Sequence, residues 1–126
     1  MQNGKLFASA LAIAMAFTQF SGDASAASAG KKVFKKCKAC HSANKGGANK
    51  IGPNLFGVVG RAAASAPGYT KYSKAMKASG VTWTEENLDK FLKRPKKFIK
   101  KTKMGFSGLK KDEDCAAVIE FLKSMK

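Results

Sequence analysis

Cys37-Lys38-Ala39-Cys40-His41 sets two thiols about one helical turn apart, with an imidazole directly after the second. Thiols at that spacing can each add to a vinyl group on the same edge of a porphyrin. The residue that follows then reaches across the ring face towards the iron. This is the attachment pattern of a c-type haem. Rival chemistries fit less well. A dithiol redox pair expects a βαβ setting, which this chain lacks. A zinc site drawn from Cys37, Cys40, His41 and Cys115 would need two adjacent residues on one tetrahedral ion, away from the usual ligand spacings. A disulfide between Cys37 and Cys40 would close only a very small ring.

His41, the chain's single histidine, directly follows the thiol pair and is the expected proximal metal ligand. The second axial position needs another donor. Met125 falls on the apolar stripe of the last helix and reads as core. Met76 sits in a short helix flanked by lysines. Met104 lies in a loop, between Thr102-Lys103 and Gly105-Phe106, with no packing role in view, and is the expected iron ligand.

These residues need elements to position them. Ser28 can cap a helix that begins near Gly30 and runs to Cys40, with Val33, Phe34 and Cys37 at helical spacing. His41 to Gly60 is rich in Gly, Asn and Ser and reads as loop. Arg61 to Tyr69 is small and turn-like, and a short helix follows from Tyr72 to Ala78, stopped by Gly80. Thr82-Trp83-Thr84-Glu85 has the form of a capping box for a helix carrying Leu88, Phe91 and Leu92. Arg94, which precedes Pro95, ends it. Lys96 to Lys101 adds one turn, and Thr102 to Leu109 is loop. Asp112 is the candidate cap of a last helix with Cys115, Val118, Ile119, Leu122 and Met125 on one stripe and Phe121 beside it. No stretch alternates with period two. The fold class expected is all-α with much loop.

The chain has 126 residues and a formal net charge of +16. Leu6 to Phe17 is an apolar run broken only by Ser9, too short for the ~20 residues of a spanning helix. Ala24-Ser25-Ala26 after it fits a signal-peptidase site, although Ala27-Ser28-Ala29 fits as well. Residues 1–26 therefore read as a cleaved signal peptide and 27–126 as one domain, exported to the periplasm. Lys5 and Asp23 cancel within the leader, so the whole charge belongs to the mature domain and implies an anionic partner. Export argues against nucleic acid, and no helix-turn-helix, RNP-like or zinc-finger pattern is present. A domain this small buries only ~60–65% of its unfolded surface, and a cofactor at its centre would add to the core. Cys115, on the helix stripe, reads as a small buried hydrophobe and not as a reactive thiol.

From Gly30 to Lys123 the chain resembles the class I cytochromes c, in particular bacterial relatives of mitochondrial cytochrome c. The residues that carry the likeness are Gly30-Lys-Lys-Val-Phe34, Cys37-x-x-Cys40-His41, Gly52-Pro53-Asn54-Leu55, Gly60-Arg61, Trp83 and Thr102-Lys103-Met104. The resemblance implies one covalently attached haem c, with Cys37 and Cys40 as thioethers and His41 and Met104 as axial ligands. It implies that the first and last helices cross, with Gly30 and Phe34 against Val118 and Phe121. His41 would donate its Nδ1–H to the Pro53 carbonyl. Arg61, Tyr72 and Trp83 would hold one propionate, and Thr102 the other. Lys36, Lys50, Lys96, Lys97, Lys103, Lys110 and Lys111 would ring the exposed haem edge.

There are departures as well. Phe91 stands where relatives commonly have tyrosine beside the methionine ligand, and Met76 where many have asparagine. Lys100 replaces a frequent proline and Arg94 an asparagine, and one extra residue falls between Tyr69 and Tyr72.

The function expected is that of a monomeric single-electron carrier, cycling Fe(II) and Fe(III), and not an enzyme. Its partners would be acidic faces of redox proteins: a cytochrome bc complex, a terminal oxidase, a photosynthetic reaction centre or a periplasmic dehydrogenase. Weak association with anionic membrane is a further expectation. If Met104 were not a stable ligand, the alternative is a haem peroxidase or a gas-binding sensor.

Overall fold

The computed structural model describes residues 22–126, so most of the segment read as a leader lies outside the described residues. Five helices follow in order: α1 (Gly22–Phe34), α2 (Lys74–Ala78), α3 (Glu85–Lys93), α4 (Pro95–Phe98) and α5 (Asp112–Ser124). No strand is found among the described residues. An isolated antiparallel bridge joins Ala62 and Thr82. The all-α expectation with long loops holds.

α1 and α5 cross at Gly30. A side chain there would meet the Ala117 carbonyl and Phe121 Cβ, so only glycine lets the two backbones approach this closely. One turn on, the rings of Phe34 and Phe121 pack with centroids 5.2 Å apart. Aromatic pairs of this kind add ~0.5–1.5 kcal/mol beyond the area they bury. Val33 and Phe34 from α1 join Cys115, Val118, Ile119, Phe121 and Leu122 from α5 in one core. The stripe expected on the last helix is therefore the buried face. Met125 caps that helix and packs against the core.

The boundaries correct the sequence reading in physical detail. Ser28 is no cap, because α1 begins further upstream, at Gly22. α1 stops at Phe34, and hydrogen-bonded turns carry the chain on to Cys40: Cys37 N–H donates to Phe34 O at 2.8 Å and Cys40 N–H to Cys37 O at 3.0 Å. The short second helix opens at Lys74, its N-cap being Ser73. α3 is capped by Thr84, which accepts from Asn87 N–H at 3.1 Å, and not by Thr82. Thr82 is already committed to the bridge with Ala62. Lys111, not Asp112, is the N-cap of α5. Asp112, Glu113 and Asp114 fill its first turn, where negative charge suits the helix dipole.

The bridge positions functional residues. Ala63 N–H donates to Val81 O and Trp83 N–H to Arg61 O, both at 2.8 Å, and Gly60 N–H donates to Trp83 O at 2.8 Å. This clasp sets Arg61 and Trp83 side by side. On the opposite side, Leu109 N–H donates to Leu92 O at 2.8 Å and ties the loop after Met104 back to α3.

Candidate haem-binding cleft

Helices and loops leave one apolar cleft of about 1120 Å³, part of it open to solvent. Its walls include Cys37, Cys40, His41, Pro53, Arg61, Tyr72, Trp83, Thr102 and Met104. Every cofactor-binding and metal-ligand residue expected from the sequence thus faces one space. Cys115 stands apart from it. Fully buried on α5, it lies close to Asp89, Lys93 and Asp112.

The attachment segment is built by the turns after α1. His41 N–H donates to Cys37 O at 2.9 Å, which closes one turn and gathers both thiols and the imidazole. The ring is then fixed from two directions. Nδ1 lies 2.7 Å from Pro53 O. A carbonyl can only accept, so the proton sits on Nδ1 and the Nε2 lone pair is free for a metal. The other restraint is Gly52: a Cβ there would overlap the imidazole ring, 2.7 Å from Nδ1 and 2.8 Å from Nε2. Burial lowers the His41 pKa, the Pro53 carbonyl opposes that shift, and Lys50 adds to it. The imidazole is thereby kept neutral, as a metal ligand must be.

Opposite, Met104 is presented by the loop after α4. Its N–H donates to Thr102 Oγ1 at 3.3 Å, a turn that orders the two residues together. Met76 and Phe91 line the same cleft. Phe91 packs against Trp83 with ring centroids 4.9 Å apart and edge-on to Phe98 at 6.3 Å, so its position is aromatic and offers no hydroxyl.

Polar groups gather in one part of the wall. Arg61 Nη1 donates to Phe56 O at 3.0 Å and Nη2 to Asn54 O at 3.2 Å. Burial pulls the guanidinium below its ordinary value, and Tyr72 acts in the opposite direction. No acid pairs with it among the described residues. Tyr72 Oη accepts from Ala66 N–H at 3.0 Å, which leaves its own proton to donate. A half-buried cation without a counter-ion, a phenol with a spare proton and an indole form a donor set suited to a carboxylate. Together with the thiol pair and the oriented imidazole, these residues fit a haem.

Sequence reasoning missed how several residues work here. Gly52 acts by having no side chain, and the only signal was its place before Pro53. Tyr69 donates to Ile51 O at 2.6 Å and packs edge-on to Tyr72 at 4.7 Å, which steadies the phenol.

Comparison with known proteins agrees with this geometry. A family model described as cytochrome c matches residues 27–126. Cytochrome c2 from Rhodospirillum rubrum is 49% identical over 111 residues, covering 79% of this chain and 97% of that protein. Cytochrome c2 from Afifella marina is 48% identical over 99 residues, with 76% and 79% covered. Among solved structures, cytochrome cH from Methylobacterium extorquens superposes with a TM-score of 0.72 at 43% identity, covering 78% of this chain and 97% of that one.

Proposed function

The chain belongs to the cytochrome c family, class I, and carries electrons on a covalently attached haem c; we propose that it does so in the periplasm, with the iron held between His41 and Met104. The observation that carries the ligand assignment is the convergence of Cys37, Cys40, the oriented His41 ring and Met104 on one cleft. When bound, the group supplies a reversible one-electron couple between Fe(II) and Fe(III).

The protein's own residues set the terms of that couple. Cys37 and Cys40 tether it through thioethers. His41 presents Nε2, while the Pro53 carbonyl holds the ring's orientation and raises its basicity. Met104 offers a soft thioether, and a His/Met pair raises the potential relative to harder ligand sets. With His41 and Met104 both bound to it, the iron would have no open coordination site, which would favour outer-sphere transfer over oxygen or peroxide chemistry. Arg61, Tyr72 and Trp83 would hold one propionate and Thr102 the other. The apolar remainder of the wall excludes water and further disfavours added positive charge.

Lys36, Lys50, Lys96, Lys97, Lys103, Lys110 and Lys111 are all exposed, and none joins an ion pair among the described residues. Unpaired surface cations steer a diffusing protein onto an acidic partner and make association fast and salt-sensitive. We assign such partners to the classes named above: a cytochrome bc complex, a terminal oxidase, a photosynthetic reaction centre or a dehydrogenase. Residues 1–26 are the export signal in this reading, and amino-terminal sequencing of the periplasmic protein should begin at or just after Ala27.

The ligand assignment is tested spectroscopically. Acid-acetone should leave the haem on the protein. The ferric form should show the weak long-wavelength band of sulfur-to-iron charge transfer, and Met104→Ala should abolish it. Loss of the band in Met76→Ala, with Met104→Ala unaffected, would move the sixth ligand to α2.

A further inference from the structure

Ile51 is the one large hydrophobic side chain left widely exposed among the described residues, at 74%. A single exposed apolar residue ordinarily needs no explanation. What sets this one apart is its backbone and its surroundings. Its carbonyl accepts from Tyr69 Oη at 2.6 Å. On either side, Lys50 N–H donates to Gly52 O at 2.9 Å and Gly52 N–H to Cys40 O at 2.8 Å. Lys50 Nζ also donates to Lys38 O at 2.8 Å. Ile51 is thus held rigidly at the mouth of the cleft, beside the segment that carries both thiols and the proximal histidine.

Charge around it has one sign. Between Ala24 and Thr84 the chain contains no aspartate or glutamate, only lysines and Arg61. Within residues 27–126 the acids all lie on α3 and α5. Five of these are engaged by lysines: Glu86 by Lys90, Asp89 and Asp112 by Lys93, Glu85 and Glu120 by Lys123. The acid-bearing helices are therefore locally compensated, while the segment around Ile51 is not.

We propose that Ile51 is the apolar anchor of the electron-transfer docking face, and that it seats in an apolar patch ringed by acidic residues on a redox protein. This rests on the electron-shuttle reading above and adds a division of labour to it. Lysines act at a distance and set the rate of encounter. An isoleucine acts only in contact and sets how long the complex lasts, as a small buried centre within a polar rim does. A second copy of this chain is disfavoured as occupant because it would bring the same cations to the contact. An anionic bilayer would match the charge, but Ile51 lies in a hydrogen-bonded loop and not on an amphipathic helix that could lie in the interface.

The test uses the haem-loaded protein, a purified bacterial cytochrome bc complex and a purified haem–copper oxidase. Ile51→Thr should weaken binding to the partner about tenfold, the loss expected when roughly one exposed aliphatic group no longer buries. The change should lie in the dissociation rate, with the slope of association against ionic strength unaltered. Ile51→Leu should bind nearly as wild type does, and oxidation by hexacyanoferrate(III) should be equal in all three. Amide resonances of Ile51 and Gly52 should shift when partner is added to labelled protein. Wild-type affinity in Ile51→Thr overturns the anchor alone; failure of the wild type to bind either partner overturns the shuttle reading with it. Binding to phosphatidylglycerol vesicles, or a concentration-dependent dimer, that is lost in Ile51→Thr while partner binding is kept would assign the residue to lipid or to self-association instead.

Discussion

Where α1 crosses α5, the backbones are so close that Gly30 has no room for a methyl group; across the cleft, the segment leading to Met104 turns through Lys101 at φ 64°, where glycine would be at ease. A glycine is present where packing demands it and missing where the backbone asks for it. The first region is held by interdigitated side chains, Phe34 on Phe121 above all. The second is anchored in the core at its ends, by Ile99 and Leu109, while its middle is exposed or only partly buried and is tied by hydrogen bonds, Thr102 N–H to Ile99 O at 3.2 Å and Leu109 N–H to Leu92 O at 2.8 Å. Close packing tolerates no departure, whereas a surface loop can carry a strained residue at modest cost. The attachment side of the cleft is accordingly rigid, and the Met104 side is the one open to adjustment.

The sharpest way to break this contrast is Gly30→Ala. The added methyl must displace backbone, Ala117 O and the base of Phe121, and not a flexible side-chain tip. Overpacking of this kind costs ~1–3 kcal/mol, and the upper end is expected because two helices must part. Chemical denaturation of the loaded protein measures it. A loss under ~0.5 kcal/mol, the range of neutral surface changes, would show that the crossing can yield.

Cys115 probes the same packed side through pH. Its side chain is 0% exposed. Burial pushes the thiol above its ordinary 9.0, and Asp89 adds to the shift while Lys93 opposes it. Once pH passes 9.0 the unfolded chain has lost this proton and the folded chain has not, so stability falls as pH rises. Cys115→Ala should cost about 1–2 kcal/mol at neutral pH from lost packing. It should also remove up to ~1.4 kcal/mol per pH unit from the slope above pH 9. Denaturation curves at pH 7, 9 and 10 for both proteins decide this, and parallel pH profiles would mean that the thiol is not shielded. Native Cys115 should in addition resist a bulky thiol reagent.

How much of this was legible in the sequence follows the same division. The attachment motif was readable because its chemistry lies in adjacent residues, and the α5 stripe because a helix repeats its buried face every turn. Thr82 misled, since its form as a capping box was overridden by long-range pairing with Ala62, and Thr84 took the cap. Gly30 could be named only through the likeness to a family; a glycine among lysines carries no local sign that another helix lies against it. Lys100-Lys101 gave no turn signal at all, because lysine is compatible with almost any exposed conformation.

That silent pair gives the smallest and most specific expectation. Thr102 N–H to Ile99 O closes a four-residue turn with Lys100 and Lys101 at its centre. Lys101 has positive φ and Lys100 does not, since the only such non-glycine residues among those described are Ala64 and Lys101. Negative then positive φ is the pattern of a type II turn, which favours proline first and glycine second. Lys101→Gly removes the ~1–2 kcal/mol left-handed cost but adds unfolded-state entropy of ~0.5–1 kcal/mol, so a net gain of roughly 0.5–1 kcal/mol is expected. Lys100→Pro should add about 0.4–1 kcal/mol. Ile99, at φ −122° and ψ 97°, is outside the α region that a following proline disfavours and needs only a modest change in ψ. Lys100 N–H donates no backbone hydrogen bond beyond those within helices among the described residues, so no such bond is lost. Because the residues are neighbours, the double variant should gain less than the sum. Hydrogen exchange separates this from a general effect: protection should rise at Thr102 and Met104 while amides of α1 and α5 keep their order relative to global unfolding. Equal stabilisation everywhere, with no added protection at Thr102, would mean that the Met104 loop was never the weaker side.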